Sequence, residues 1–457
     1  MWLDLFNTAT LPFYWAGFEP HRGTSDTVRL RRAAEWFVDR SCSVKGHPLA
    51  WHTLAPDWLI ELPTSQVEEA LRYSMNFGFG AEVGRIGGGV TTFDAPAGTG
   101  AFSPRVSFGV SRLNFLGLGQ TLSLQSRFSN FQQRGLISYF APQFKGHENL
   151  NLTLTTLVDH SADVRTYDSR RIEESIQLAQ KFSRANTVQY RFTYRNVFVD
   201  PASVAITPAL IPIFAQSVRV GQLGLTFLQD RRDDPTDARR GMYNSVDLGL
   251  SVPAFGSETD FARLNVQNST YHRINRDLTF ARTTSFGWIH RLGGPAEIPL
   301  PERYFSGGAS SQRAFADNQA GPRDPNTGFP IGGTALLMNS FELRFPLIGD
   351  NVGGVLFHDA GNVYTDIKSI SFRFGQRDVK DFDYMVHGIG FGIRYRTPLG
   401  PVRVDLSLSP NSPRFVGYQG SEQELLTCSA PGSTIPCQTT RQRISVFQFH
   451  FSLGQAF

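Results

Sequence analysis

The chain has 457 residues, of which 12% are aromatic and 18% are charged, and it contains 38 Phe, 43 Gly, 26 Pro and 3 Cys. That charged fraction is low against roughly 25% for soluble domains, and so many aromatic residues exclude an intrinsically disordered chain. Three cysteines are too few to cross-link a chain of this length, which excludes a fold held together mainly by disulfides. The formal net charge of +4 is small and spread out, so no nucleic-acid partner is expected.

Residues 1–72 differ in pattern from the rest of the chain. An apolar stripe at i, i+3, i+4, i+7 and i+8 predicts an amphipathic helix over residues 30–38. Residues 65–68 have the sequence of a capping box, which predicts a second, short helix. No secretory signal is recognised at residues 1–6, where basic residues and a clean apolar core are lacking. We expect a partly helical N-terminal segment that is too small for an enzyme domain.

No stretch of the sequence has the composition of a transmembrane helix. The longest uncharged run, residues 201–218, contains three prolines among Ser, Thr and Gln. Prolines at that density break helices, so the sequence excludes a helical membrane protein.

From about Tyr73 onward, apolar and polar residues alternate. Val and Leu alternate with Arg, Asp and Ser over residues 402–409, and Phe and Leu alternate with Gln, His and Ser over residues 447–453. Successive side chains of a strand point to opposite faces, so each predicted strand has one apolar and one polar face. A soluble two-sheet protein would bury the apolar face, whereas an outer-membrane barrel turns it to lipid.

Three features favour the barrel. The predicted strands are about 10 to 16 residues long, whereas soluble strands cluster near 5–6. Their polar faces carry Arg, Gln, Asn and Glu, which suits a wet interior. The connections alternate between short turns and long loops, as they do in barrels that span an outer membrane.

The alternation predicts an all-β, antiparallel transmembrane β-barrel of sixteen strands over residues 73–457, although a count of fourteen also fits. An even count puts both ends of the barrel on the short-turn side. The predicted strands begin near residues 73, 103, 119, 134, 148, 168, 186, 218, 241, 259, 277, 332, 353, 385, 400 and 443.

A motif in the longest loop resembles that of a known family. The family is the BamA/TamA superfamily of outer-membrane insertases and two-partner secretion transporters, whose sixth outer loop folds back into the barrel. The matching residues are Arg303, Tyr304, Gly307, Gly308, Arg313 and Phe315. The family glycine after the arginine is Ala314 here. A residue that needs a positive φ would be strained as Ala, and whether Ala314 alters the loop tip is left open by the sequence.

Other segments resemble the same family in the same order. They are a turn at 230–241, strands at 339–346 and 357–364, and a turn at 395–401. The resemblance covers residues 218–457 by motif and 73–217 by pattern. It implies that Arg313 pairs with Glu342 and Asp359 and thereby holds the loop inside the barrel. A solvated loop with ordinary ion pairs is the alternative.

The last strand resembles the C-terminal signal by which outer-membrane barrels are recognised for assembly. Aromatic residues alternate along it before a glycine and a terminal Phe; the residues are Phe449, Phe451, Gly454 and Phe457. A lipid-facing strand with an interfacial aromatic girdle would have the same pattern.

Other chemical features of the sequence are few. We find no metal-ligand spacing, nucleophile elbow or phosphate loop, so we expect no enzyme activity, no metal site and no cofactor. Cys428 and Cys437 lie nine positions apart in the last long loop, where an oxidising compartment favours a disulfide over two free thiols. Cys42 would then be unpaired.

The resemblance implies an assembly factor of the bacterial outer membrane, which folds and inserts β-barrel proteins or translocates polypeptides. Its partners would be outer-membrane lipids, unfolded clients and periplasmic or lipoprotein accessory subunits. We expect the seam between the first and last strands to open sideways and to pair with a client strand. A passive pore without assembly activity is the alternative. Residues 1–72 contain no recognisable POTRA repeat, so we expect a fragment, a mis-started product or a member that lost its repeats.

Overall fold

The computed structural model describes most of the chain beyond residue 72 and a few residues before it. The described residues are 8–11, 32, 35, 43–46, 73–86, 96–97, 99–117, 119–235, 237–293, 297–349, 351–397, 400–430 and 432–453.

Within residues 1–72, two short strands pair in parallel: β1 (Thr8–Leu11) and β2 (Ser43–Gly46). Arg32 and Glu35 are helical, and the rest of the helix predicted over 30–38 lies outside the described residues. The second predicted helix, at 65–68, also lies outside them.

Sixteen antiparallel strands close into one barrel, which confirms the predicted class and strand count. In chain order the barrel strands are β3 (Tyr73–Ile86), β4 (Thr99–Phe115), β5 (Gln120–Ser129), β6 (Gln132–Ala141), β7 (Leu150–Ser161), β8 (Ser169–Lys181), β9 (Asn186–Val199), β10 (Val218–Asp230), β11 (Gly241–Ser251), β12 (Phe261–Arg273), β13 (Thr279–Arg291), β14 (Ala335–Ile348), β15 (Val352–Tyr364), β16 (Val386–Thr397), β17 (Gly400–Leu408) and β20 (Phe447–Leu453). The closing pair joins β20 to β3.

The last strand begins later than the sequence predicted. Arg443, taken as its start, ends β19 (Thr439–Arg443), which pairs with β18 (Arg414–Tyr418) in a hairpin outside the barrel. Both hairpin strands are only five residues long and lie within the last long loop. Alternation alone could not separate β19 from β20, because both strands have a period of two.

From Tyr73 onward, the helices that the structure describes are short and lie in the connections between strands. The α-helices are α1 (Ile211–Phe214) and α2 (Glu422–Cys428), and the 3₁₀ turns are Phe144–Gly146, Pro201–Ser203, Pro208–Leu210, Pro253–Phe255, Leu300–Glu302 and Ile367–Ser369. None of the described helices has the length and apolar character needed to cross a membrane.

The barrel wall has an apolar outside and a polar inside. In β10, Leu223 and Leu225 are 49% and 40% exposed, while the next residue, Thr226, turns inward and hydrogen-bonds Asp247. A closed barrel with such an exposed apolar belt contradicts the soluble two-sheet alternative and fits a barrel that faces hydrocarbon.

The two ends of the barrel differ. At one end, which we call the short-turn end, turns of a few residues join the strands. Residues 274–278 join β12 to β13, and residues 349–351 join β14 to β15. At the other end, which we call the long-loop end, β13 and β14 are joined by residues 292–334. We call residues 292–334 the lumen loop, because its side chains contact the inner faces of strands around the barrel.

Candidate functional site: the lumen loop and its anchors

Arg313 is the central anchor of the lumen loop. Its guanidinium donates to Asp359 from Nε at 2.8 Å and from Nη2 at 2.7 Å, and Nη1 donates to Glu342 Oε1 at 2.8 Å. The backbone N–H of Arg313 also donates to Asp359, at 3.0 Å. Asp359 is 1% exposed and lies on β15, and Glu342 lies on β14, so two wall strands hold one loop residue.

The surroundings complete this anchor. Ser340 Oγ donates to Asp359 at 2.7 Å, and the guanidinium carbon of Arg313 lies 3.5 Å from the centroid of the Phe357 ring. Burial alone would lower the pKa of Arg313, but the hydrogen bonds and charge of Asp359 outweigh it and raise that pKa above its usual value. The guanidinium is therefore charged at any physiological pH.

The same anchor reaches the last strand of the barrel. His450 of β20 places Nε2 3.2 Å from the carbonyl oxygen of Arg313, and Asp405 of β17 lies 3.9 Å from Nη1. The loop therefore touches a strand of the closing seam as well as β14 and β15. Sequence reasoning did not single out His450 or Asp405, although both alternate with apolar neighbours and so point inward.

A second anchor holds the beginning of the lumen loop on other strands of the wall. Glu302, 4% exposed, accepts from Arg195 of β9 at 2.8 and 2.6 Å and from Arg263 of β12 at 2.9 Å. Burial alone would raise the pKa of Glu302, but the two guanidinium groups hold it below its usual value. Glu302 opens the recognised motif, yet the sequence does not reveal partners 107 and 39 positions away.

Tyr304 fixes the loop against β12 and β13. Its hydroxyl donates to Asn265 Oδ1 at 2.6 Å, and its ring lies over Gly287, where a Cβ would come within 2.6 Å of the ring. A side chain at Gly287 would therefore displace the tyrosine. Burial raises the pKa of Tyr304 to about 12, so its hydroxyl keeps its proton as a donor.

The remaining motif residues shape and bury the loop. Gly307 and Gly308 have φ values of +123° and +92°, which favour glycine. Phe315 is fully buried in an apolar cluster with Tyr384 and Phe415.

The departure at Ala314 does not strain the loop. The φ angle of Ala314 is not in the positive range that favours glycine, and the residue is fully buried. A Cβ built on Gly388 of β16 would lie 2.8 Å from the Ala314 Cβ. The missing side chain at Gly388 therefore makes room for the methyl group.

We expect Gly388→Ala to push the loop off its anchor and to destabilise the barrel by about 1–3 kcal/mol, the usual cost of overpacking. Adding Ala314→Gly should restore part of the loss. Urea unfolding in detergent measures both variants, with Gly375→Ala as the control because no atom lies within 4 Å of that position. If the double variant is no more stable than Gly388→Ala alone, the proposed fit between the two positions is wrong.

Two further arginines of the loop stack on aromatic rings of other loops. Arg303 lies 4.3 Å from the centroid of the Phe214 ring, and Arg323 lies 4.3 Å from that of Phe415. Burial lowers the pKa of Arg303 to about 10 and that of Arg323 to about 9, so both remain protonated at neutral pH. Arg303, Arg313 and Arg323 thus attach one loop to the wall and to its neighbours at the long-loop end.

The other predicted site residues lie elsewhere. Phe449 and Phe451 are on the outward face of β20, and Gly454 and Phe457 lie outside the described residues. Cys428 and Cys437 form a disulfide in the last long loop. Among the residues that the structure describes, no group of three or more His, Cys, Asp or Glu is arranged to hold a metal ion.

A closed sixteen-stranded barrel with an apolar belt and a loop folded into its lumen defines an integral outer-membrane β-barrel. The family model described as the Omp85 superfamily domain matches residues 114–457, so the chain belongs to the Omp85 superfamily.

Individual relatives are distant. The outer membrane protein assembly factor BamA of Nitratidesulfovibrio vulgaris is 23% identical over 311 residues, which are 66% of this chain and 37% of that protein. A SAM50-like protein of Schizosaccharomyces pombe is 24% identical over 214 residues, which are 45% of this chain and 41% of that protein. The chain thus spans about two fifths of the length of these curated relatives.

A solved structure shares the fold. BamA from Haemophilus ducreyi lacking POTRA domains 1–3 superposes with a TM-score of 0.61 and 17% sequence identity, over 98% of this chain and 84% of that chain.

Proposed function

We propose that this outer-membrane barrel folds and inserts β-barrel proteins or transports polypeptides, and that the lumen loop and the β20–β3 seam do this work together. Membership of the Omp85 superfamily supports the proposal, as does the likeness to a protein named as an assembly factor. The observation that carries it is the contact of the Arg313 anchor with His450, because it links the loop in the lumen to a seam strand.

The seam is built to open more easily than its neighbours. In the described residues, β20 pairs with β3 at three positions, whereas it pairs with β17 at seven. Gly80 offers no side chain there, and a Cβ would lie 2.6 Å from the Leu453 carbonyl oxygen. Opening exposes the backbone edge of β3, and a client strand adds to that edge by β-augmentation.

A disulfide across the seam tests this mechanism. Ala81 and Leu453 are directly opposite each other in the register. We expect the Ala81→Cys/Leu453→Cys variant to lose client insertion into lipid vesicles when oxidised and to regain it on reduction, because the locked edge cannot pair. The assay follows the folding of an added barrel client by its protease resistance.

The matched control is Leu225→Cys/Leu248→Cys, which bridges a cross-strand pair of β10 and β11 away from the seam. Both double variants carry Cys42→Ser to prevent mispairing. Oxidation of the control should leave insertion unchanged. Full activity of the oxidised seam variant would refute lateral opening.

We propose two domains, an N-terminal segment of residues 1–72 and a barrel of residues 73–457. The expected partners are outer-membrane lipids, unfolded barrel or secreted polypeptide clients, and periplasmic or lipoprotein accessory subunits. The proposed activity works by strand pairing and needs no catalytic group or cofactor.

A further inference from the structure

A row of polar side chains crosses the outer, lipid-facing surface of six consecutive strands. Each member stands opposite the next in the strand register, and each alternates with inward residues such as Glu342 and Asp247. The row consists of Asn186, Gln229, Asn244, Asn268, Thr284 and Asn339.

Most members of the row hydrogen-bond their neighbours. Asn244 donates to Gln229 at 3.0 Å and Asn268 donates to Asn244 at 2.6 Å, while Thr284 donates to Asn339 at 2.6 Å. The row starts at the short-turn end of β9 and β10 and lies deeper in the wall on β12 to β14, because barrel strands tilt. Polar groups at that depth in lipid need such partners.

Arg282 of β13 lies on the same outward face, beside this row. It donates from Nη2 to Thr284 Oγ1 at 2.8 Å and from Nε to Asn339 Oδ1 at 3.4 Å. Thr284 is two residues farther from the short-turn end than Arg282. The side chain of Arg282 therefore points into the membrane rather than towards the water. No carboxylate of the described residues lies within ion-pair distance of Arg282, so its charge faces lipid with neutral partners only.

An apolar groove of about 590 Å³ lies farther along the same outward face, towards the long-loop end. Its outward lining comes from β9 to β13 and includes Leu225, Leu248, Ala262, Leu264 and Trp288. Ala262 is small, which leaves the space between its larger neighbours. The groove is apolar and open to the membrane, so it has room for one more apolar chain.

We propose that this face binds one anionic phospholipid of the inner leaflet, with its phosphate at Arg282 and an acyl chain in the groove. An unpaired guanidinium attracts a phosphate, and the hydroxyl of Thr284 and the amide of Asn339 keep the guanidinium in place. The short-turn end is the periplasmic end of such barrels, where inner-leaflet headgroups lie.

Direction and length fit a phospholipid. From a headgroup near the short-turn end, acyl chains run towards the middle of the membrane, and the groove lies in that direction from Arg282. The guanidinium of Arg282 reaches Thr284, and Trp288 is four residues beyond Thr284, or about 13 Å along a strand. One leaflet contributes roughly 15 Å of hydrocarbon. The site is independent of the proposed assembly activity.

Trp288 provides the test, because it is the one tryptophan of residues 73–457. The 457-residue protein is reconstituted in phosphatidylcholine vesicles with a minor fraction of lipid brominated in its acyl chains, either phosphatidylglycerol or phosphatidylcholine. The Trp288 signal is the wild-type fluorescence minus that of Trp288→Phe. We expect brominated phosphatidylglycerol to quench it at about fivefold lower concentration, as one arginine at an anionic lipid predicts.

Arg282→Gln should abolish this preference, Arg282→Lys should keep part of it, and Arg276→Gln, an exposed turn residue, should leave it unchanged. Ala262→Leu fills the groove and should weaken quenching by both lipids, which tests the site even if Arg282→Gln misfolds. Equal quenching by the two lipids in the wild type, or a preference that survives Arg282→Gln, would overturn the proposal.

Discussion

Replacing Arg313 by alanine is expected to release the lumen loop and to increase ion conductance through the barrel. The change leaves Asp359, 1% exposed, without its guanidinium, and breaking a buried pair in this way costs about 3–5 kcal/mol. The wild type should carry a small, fluctuating current across a planar bilayer, and Arg313→Ala should carry a larger one. Urea unfolding of the same samples measures the accompanying loss of stability.

The control is Arg219→Ala, which removes an exposed ion pair with Glu258 whose two side chains are 57% and 42% exposed. Such a pair contributes about 0–1 kcal/mol, so the current should not change. Arg313→Lys should behave in between, because lysine keeps the charge but loses the two-pronged hydrogen bonding to Asp359. A large, steady wild-type current that is insensitive to Arg313→Ala would favour the passive pore.

Glu302→Gln is expected to have an effect of similar size at the other anchor. It leaves Arg195 and Arg263 facing a neutral amide, which again costs about 3–5 kcal/mol. The first part of the loop should detach and become sensitive to protease from the long-loop side. Limited proteolysis and urea unfolding report this, and Glu258→Gln is the exposed control.

A triple replacement separates loss of a buried charge pair from loss of packing. Arg195→Met, Arg263→Met and Glu302→Leu together remove all three charges, and apolar groups of similar volume are often as stable as a buried ion pair. We expect this variant to recover most of the stability that Glu302→Gln loses. No recovery would mean that the anchor acts through shape rather than charge.

Acid should release the same anchor. The arginines hold the pKa of Glu302 below its usual value in the folded protein. The stabilising contribution is therefore fully present above the unfolded pKa of about 4.3 and is lost as the pH falls through the folded value. The conductance of the wild type should be the same at neutral pH and at pH 5, and it should rise only under stronger acid. The conductance of Glu302→Gln should not rise further under the same acid.

The sequence by itself determined the barrel. Alternation along a strand depends only on neighbouring residues, so it can be recognised from the sequence without the fold. It predicted sixteen strands with starts close to the observed ones. The inward position of Glu342 could also be predicted, because a side chain's face follows from counting along its strand. The pairing of Arg313 with Glu342 and Asp359 was implied only by the family resemblance.

Only the tertiary structure decided which distant groups meet. Glu302 finds Arg195 and Arg263, Ala314 finds room at Gly388, and Arg282 lies beside a polar row that spans six strands. Each of these depends on strand register and on the path of the loop across the lumen. Register is set by pairing between strands and by closure of the barrel, and neither can be inferred from the pattern of neighbouring residues.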